Sequence, residues 1–173
     1  MWPWIGPFMV FALAAQGYDV QKAAVYGNTL GGISIIIGAL ATWIGGKLSD
    51  IYGRTIVMLV FLAGSMICSI YIGWMVYAPV SLLTVVVIAY GFLVVGDSPV
   101  LTVTVADLAE PEIMEFTLGI QSVVGYGITI ISSAVFGMVL DTTQSWGWAF
   151  TSLGFGAFLG VLSLMFLRHI THI

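Results

Sequence analysis

The chain has 173 residues, 60% of them hydrophobic and 7% charged, with a mean hydropathy of +1.12 and a formal net charge of −4. Soluble domains carry roughly 25% charged residues, so four basic and eight acidic side chains are too few to clothe a water-soluble surface. The absence of any basic patch argues against nucleic acid as a partner and leaves the lipid bilayer as the solvent.

Crossing a hydrocarbon core about 30 Å thick takes roughly 20 apolar residues. The first apolar stretch, 1–16, is short for a crossing and reads as a helix missing its beginning. Pro3, Pro7 and the lack of a basic n-region argue against a secretory leader. After the polar turn 17–22, further spans are expected at about 26–46, 55–77, 81–105, 116–140 and 146–167. The expected fold is an all-α membrane protein of six transmembrane helices forming one bundle over 1–173.

Lys47, Arg54 and Arg168 fall on one side of this six-span layout and Lys22 alone on the other. The positive-inside rule therefore puts the 47–54 loop, the 107–115 loop and the C-terminus in the cytoplasm, in a multi-pass protein of the inner (plasma) membrane. Trp74, Tyr77, Trp146 and Trp148 lie near span ends on the other side, as an interfacial aromatic belt would. Small residues mark helix faces that pack closely in lipid. The second span carries Gly31, Ser34, Gly38, Ala41 and Gly45, the third Ser65, Ser69 and Gly73, and the last Ser152, Gly156 and Gly160.

The segment Gly46-Lys47-Leu48-Ser49-Asp50-Ile51-Tyr52-Gly53-Arg54 joins the second and third spans. Gly46 and Gly53 permit a tight turn, Asp50 suits a helix N-terminus, and Arg54 supplies an inside charge. It resembles the G-x-L-[SA]-D-x-x-G-R signature of the major facilitator superfamily, which follows the second helix of each six-helix half. Where the family often has a basic residue after the aspartate, this chain has Ile51. Trp2-Pro3-Trp4-Ile5 looks like part of the family's seventh helix, and Gly96-Asp97-Ser98-Pro99 with 106–112 like the tenth helix and its loop. A G-x-x-x-D sequence closes both the second span (Gly46 to Asp50) and the fifth (Gly137 to Asp141), as expected of a 3+3 inverted repeat.

The resemblance implies the C-terminal half of a twelve-helix secondary transporter of a small solute, working by alternating access. It further implies that an N-terminal six-helix half is the partner and that Gly46, Asp50, Gly53 and Arg54 form a conformational latch between the halves. Two other readings stand beside it: a non-transporting membrane scaffold or inactive remnant, and a half-transporter that works as a homodimer.

Among candidate site residues, Asp97 is the one acid placed well inside a span, and such groups mark ion or substrate pathways. Tyr90, Asp97 and Thr104 recur seven apart on the fourth span. Proton or cation coupling is one reading of Asp97, and a structural carboxylate beside the Pro99 kink is the other. The fifth span carries Gln121, Ser122, Tyr126, Thr129, Ser132 and Ser133, too polar a set for a face in lipid. Gln121, Tyr126 and Thr129 are candidates for substrate contact or for interhelical hydrogen bonds, with Asn28 and Trp4 as further candidates. No Ser-His-Asp set, paired cysteines or phosphate loop occurs, so neither catalysis nor a cofactor is expected. Cys68 reads as a packing residue, and His169 and His172 as a solvated tail without the further ligands a metal needs.

Overall fold

The computed structural model describes the backbone of residues 1–171 and the side-chain surroundings of residues 1–166. His169 and His172, named above, lie outside the described side chains. The described residues form seven helices and no strand, in the order α1 (Trp2–Ala15), α2 (Val20–Tyr52), α3 (Arg54–Ile72), α4 (Val80–Leu93), α5 (Ser98–Leu108), α6 (Met114–Thr143) and α7 (Trp146–Thr171). Five stretches are long and apolar enough to cross a membrane: α2, α3, the α4–α5 pair over Val80–Leu108, α6, and the Trp146–Phe166 part of α7. The chain is thus a membrane-embedded helical bundle. At 14 residues, α1 spans only about 21 Å, so a sixth full crossing is not demonstrated.

Local chemistry sets the ends of these helices. Asp19 caps α2, its carboxylate accepting from the Gln21 and Lys22 amides at 3.1 Å each, so the helix begins earlier than its apolar pattern. Helix α2 then runs on through the expected 47–54 loop as far as Tyr52, a length of 33 residues or about 50 Å. A single residue, Gly53 at φ +89°, turns the chain into α3. The third span is shorter than its hydropathy suggests, because the helix ends at Ile72 and the backbone from Gly73 on is a turn. The Gln16 amide group anchors that turn, donating to the Val76 and Ala78 carbonyls at 2.8 and 3.1 Å.

The expected fourth span is interrupted. Between α4 and α5 the backbone leaves the helix at Val94–Asp97. Pro99 explains this, since it has no amide hydrogen and its ring clashes with the carbonyl four residues back, that of Val95. The Ser98 amide bonds to the Val95 carbonyl instead, at 3.1 Å.

Packing centres on α2, which lies against α1 along one part and α4 along another. Ser34, Gly38, Ala41 and Gly45 are buried, as the small-residue pattern predicts. Gly45 meets the Gly96 carbonyl in the interruption, and Gly96 in turn lies against the Phe61 ring of α3. No side chain larger than hydrogen fits at either glycine. A second tight pairing joins α3 to α7, where Ser69, Gly73 and Gly160 pack as expected, Gly73 against the Trp146 carbonyl, and Gly156 does not. Gly147 packs on Trp74, Gly154 on Ile70 and Ser69, and Gly160 on Leu62, whereas Gly156 is exposed with nothing beside it.

The core is aromatic. Phe8 of α1, Phe136 of α6 and Phe150 of α7 are fully buried and edge-packed at centroid distances of 5.0 and 5.2 Å. Trp146 joins this cluster through Phe8 and Phe150 rather than the belt assigned to it. Trp74, Tyr77 and Trp148 are exposed, as belt residues are. In contrast to the rest, α6 buries only Phe136 along its 30 residues.

The contact at Gly96 makes a direct prediction. Gly96→Ala drives a methyl group into Phe61 and should destabilise the bundle by about 1–3 kcal/mol in a reversible detergent unfolding titration. Gly32→Ala, where no atom lies within 4 Å of the new methyl, should change stability by less than about 0.5 kcal/mol. Equal effects at the two sites would refute the packing described for the interruption.

Candidate functional site

The candidate residues fall into two groups at different levels of the bundle. The first surrounds the interruption of the fourth span. Asp97 occupies the N-cap position of α5, half-buried, with no side-chain capping bond. The half-helix it begins is held at three places. Gly96 packs between Gly45 and Phe61, Gln121 of α6 donates its amide to the Thr102 hydroxyl at 3.4 Å, and Asp107 near the far end is ion-paired with Arg54. Arg54 also reaches the Val103 carbonyl at 3.5 Å. The Gln121 side-chain oxygen is buried without a hydrogen-bond partner among the described residues.

The interruption breaks up the Tyr90, Asp97, Thr104 stripe. Tyr90 lies before it, 1% exposed, with its hydroxyl hydrogen-bonded to Ser69 of α3 inside the core. Thr104 lies after it, its hydroxyl donating to the Val100 carbonyl of its own helix at 2.7 Å. Tyr90 is therefore a packing residue between α3 and α4, and Asp97 is the member of the stripe that stands at a backbone discontinuity.

The second group lies on α1, α2 and α6. Trp4 stacks on Phe136 at 4.6 Å, and its indole nitrogen is buried without a partner among the described residues. Asn28 is exposed on α2, with its side-chain oxygen against Gly6 of α1. Tyr126 is 74% exposed on α6, and Thr129, also exposed, donates to the Gly125 carbonyl at 2.9 Å. These residues do not converge on an enclosed cavity with Asp97. Two open depressions lie on the surface, one along residues 115–124 of α6 and one along residues 19–29 at the start of α2.

The latch segment is reshaped. Gly46 sits inside α2 with open space beside it, so it makes neither the expected turn nor a close helix contact. Gly53 alone turns the chain. Asp50 is exposed in the last turn of α2 and does not cap α3, whose N-cap is Gly53 with no side-chain bond. Arg54 is the latch residue with a partner inside the chain, and that partner, Asp107, was not singled out from sequence. Opposite charges in two loops assigned to one side were the available signal. From sequence Ser69 reads only as a small residue, since nothing in its spacing points to Tyr90.

Tyr90 and Ser69 can be tested as a pair. A double-mutant cycle with Tyr90→Phe and Ser69→Ala in bilayers should give a coupling of about 0.6 kcal/mol, the usual size of an interhelical hydrogen bond in lipid. Independent effects that simply add would show that the hydroxyls do not meet.

No family model matches the chain, and neither a curated protein nor a solved structure does.

Proposed function

We propose that the chain is one half of a secondary transporter of major facilitator type, moving a small solute by alternating access against a second six-span half in the inner (plasma) membrane, with its C-terminus cytoplasmic. The observation that carries this reading is the interruption of the Val80–Leu108 span at Val94–Asp97, with a carboxylate at the break. Transporters use broken helices to place irregular backbone and charged side chains along a pathway, and a membrane admits such backbone only where protein buries it or water reaches it.

The surroundings support it. An ionised carboxylate is expensive in a low dielectric, so neutralising Asp97 with a proton or a cation removes a penalty and changes how α5 sits. The half-helix is short, 11 residues, and joined to α4 by non-helical backbone, so it can respond to that change as a unit. The Arg54–Asp107 pair ties its far end to the start of α3. The sparsely packed α6, with Tyr126 and Thr129 on its exposed surface, supplies the side a second half would cover. Gln121 on α6, Trp4 stacked on Phe136 of α6, and Asn28 beside Gly6 of α1 are candidate contacts for the solute, and Tyr90 acts by packing.

A non-transporting scaffold is the second reading, favoured by one observation: the candidate residues do not gather round an enclosed cavity within this chain.

Asp97→Asn separates the two. In the assembled transporter it should abolish uphill accumulation while exchange of bound solute persists, because the titrating group is lost and the pathway is kept. Unimpaired accumulation at normal yield would sink the coupling role.

A further inference from the structure

One end of the bundle carries exposed apolar side chains where lipid tails do not reach. The uncharged part of α2 between Lys22 and Lys47 is about 24 residues, or about 36 Å, which already exceeds a hydrocarbon core of about 30 Å. Ile51 and Tyr52, beyond Lys47, therefore stand outside that core, and they are 71% and 63% exposed. Leu108 and Ile113, at 67% and 50%, lie at and beyond the end of α5 on the way to α6, among Asp107, Glu110, Glu112 and Glu115. The Arg54–Asp107 pair brings the α2–α3 and α5–α6 connections side by side, and the Gln121–Thr102 contact holds the start of α6 against α5.

The charges at this end are lopsided. This end has five carboxylates, Asp50, Asp107, Glu110, Glu112 and Glu115, against three basic residues: Arg54 is engaged by Asp107, the Lys47 ammonium lies 4.0 Å from the centre of the Trp43 ring, turned back along α2, and Arg168 lies outside the described side chains. Asp50, Glu110, Glu112 and Glu115 make no ion pair among the described residues. Anionic headgroups repel such a surface, so the membrane plane is a poor cover for its apolar side chains. A helix with one apolar face flanked by Lys or Arg complements both features at once.

We propose that the α2–α3 and α5–α6 connections together form a docking surface for a basic, amphipathic helical segment of another polypeptide. The apolar side chains seat the helix, and the carboxylates select its charge and orientation. This surface depends on the membrane-embedded bundle, not on the transport reading, and lies at the opposite end of α5 from Asp97.

The test uses the full chain in nanodiscs of neutral phosphatidylcholine and a fluorescent synthetic helix of leucine and lysine, followed by anisotropy. The helix should bind, with an affinity that falls steeply as salt rises. The combined Glu110→Gln, Glu112→Gln and Glu115→Gln variant should bind about tenfold more weakly or worse, as should Ile51→Ser combined with Leu108→Ser. Asp141→Asn, at the opposite end, should bind as the parent does. No binding by the parent chain, equal binding by the charge-neutralised variant, equal binding to nanodiscs lacking the chain, or equal binding of a glutamate-substituted helix would each overturn the proposal.

Discussion

The fold depends on how closely α2 approaches its neighbours. Between helices in lipid there is no water to expel, so association rests on backbone proximity and packing. Gly45 against Gly96 and Gly91 against Ser34 bring the interrupted span onto α2 with the backbones nearly touching, and Gly96 lets the Phe61 ring of α3 lie directly on it. Helix α1 reaches α2 in the same way, Gly27 packing on Gly6 and Val10. Without these contacts nothing would fix where the interruption lies, and Asp97 would have no defined surroundings.

The interruption and the close packing explain each other. Helical backbone satisfies its own hydrogen bonds, and irregular backbone in a membrane must be buried in protein or open to water. Pro99 forces the irregular turn, and the glycines at positions 45 and 96 let neighbouring backbone and the Phe61 ring cover part of it. What remains is a half-helix, α5, attached through one non-helical junction and restrained at its far end by the Arg54–Asp107 pair.

Much of this was legible in the residues. Hydropathy located the long apolar helices because lipid imposes a minimum apolar length, and the Ser34, Gly38, Ala41, Gly45 face was readable because small residues at helical spacing have one use in lipid. Features that depend on a partner distant in sequence were not. Phe61 gives no sign that it covers Gly96, and Tyr90 looked like part of a polar stripe until its hydroxyl was seen to meet Ser69. Gly46 and Gly156 show the opposite error, small residues with nothing packed on them. Helix ends moved outward where a cap or a single glycine extended them, at Asp19 and Gly53, which hydropathy does not register. Pro99 did announce a kink, but its consequence, a span in two pieces, required the Ser98 amide to find the Val95 carbonyl.

The account stands or falls on whether this bundle needs a second one to move solute. In the proposed half-transporter, the sparsely packed α6 surface is where a complementary half would seat, and that half would complete the pathway the candidate residues leave open. The direct measurement is uptake of a panel of radiolabelled small solutes by vesicles containing the purified 173-residue chain, alone and co-assembled with an N-terminal six-span half. The account predicts no saturable uptake by the chain alone and its appearance when both halves are present. Saturable, solute-specific uptake by the chain alone would contradict it and favour a homodimer.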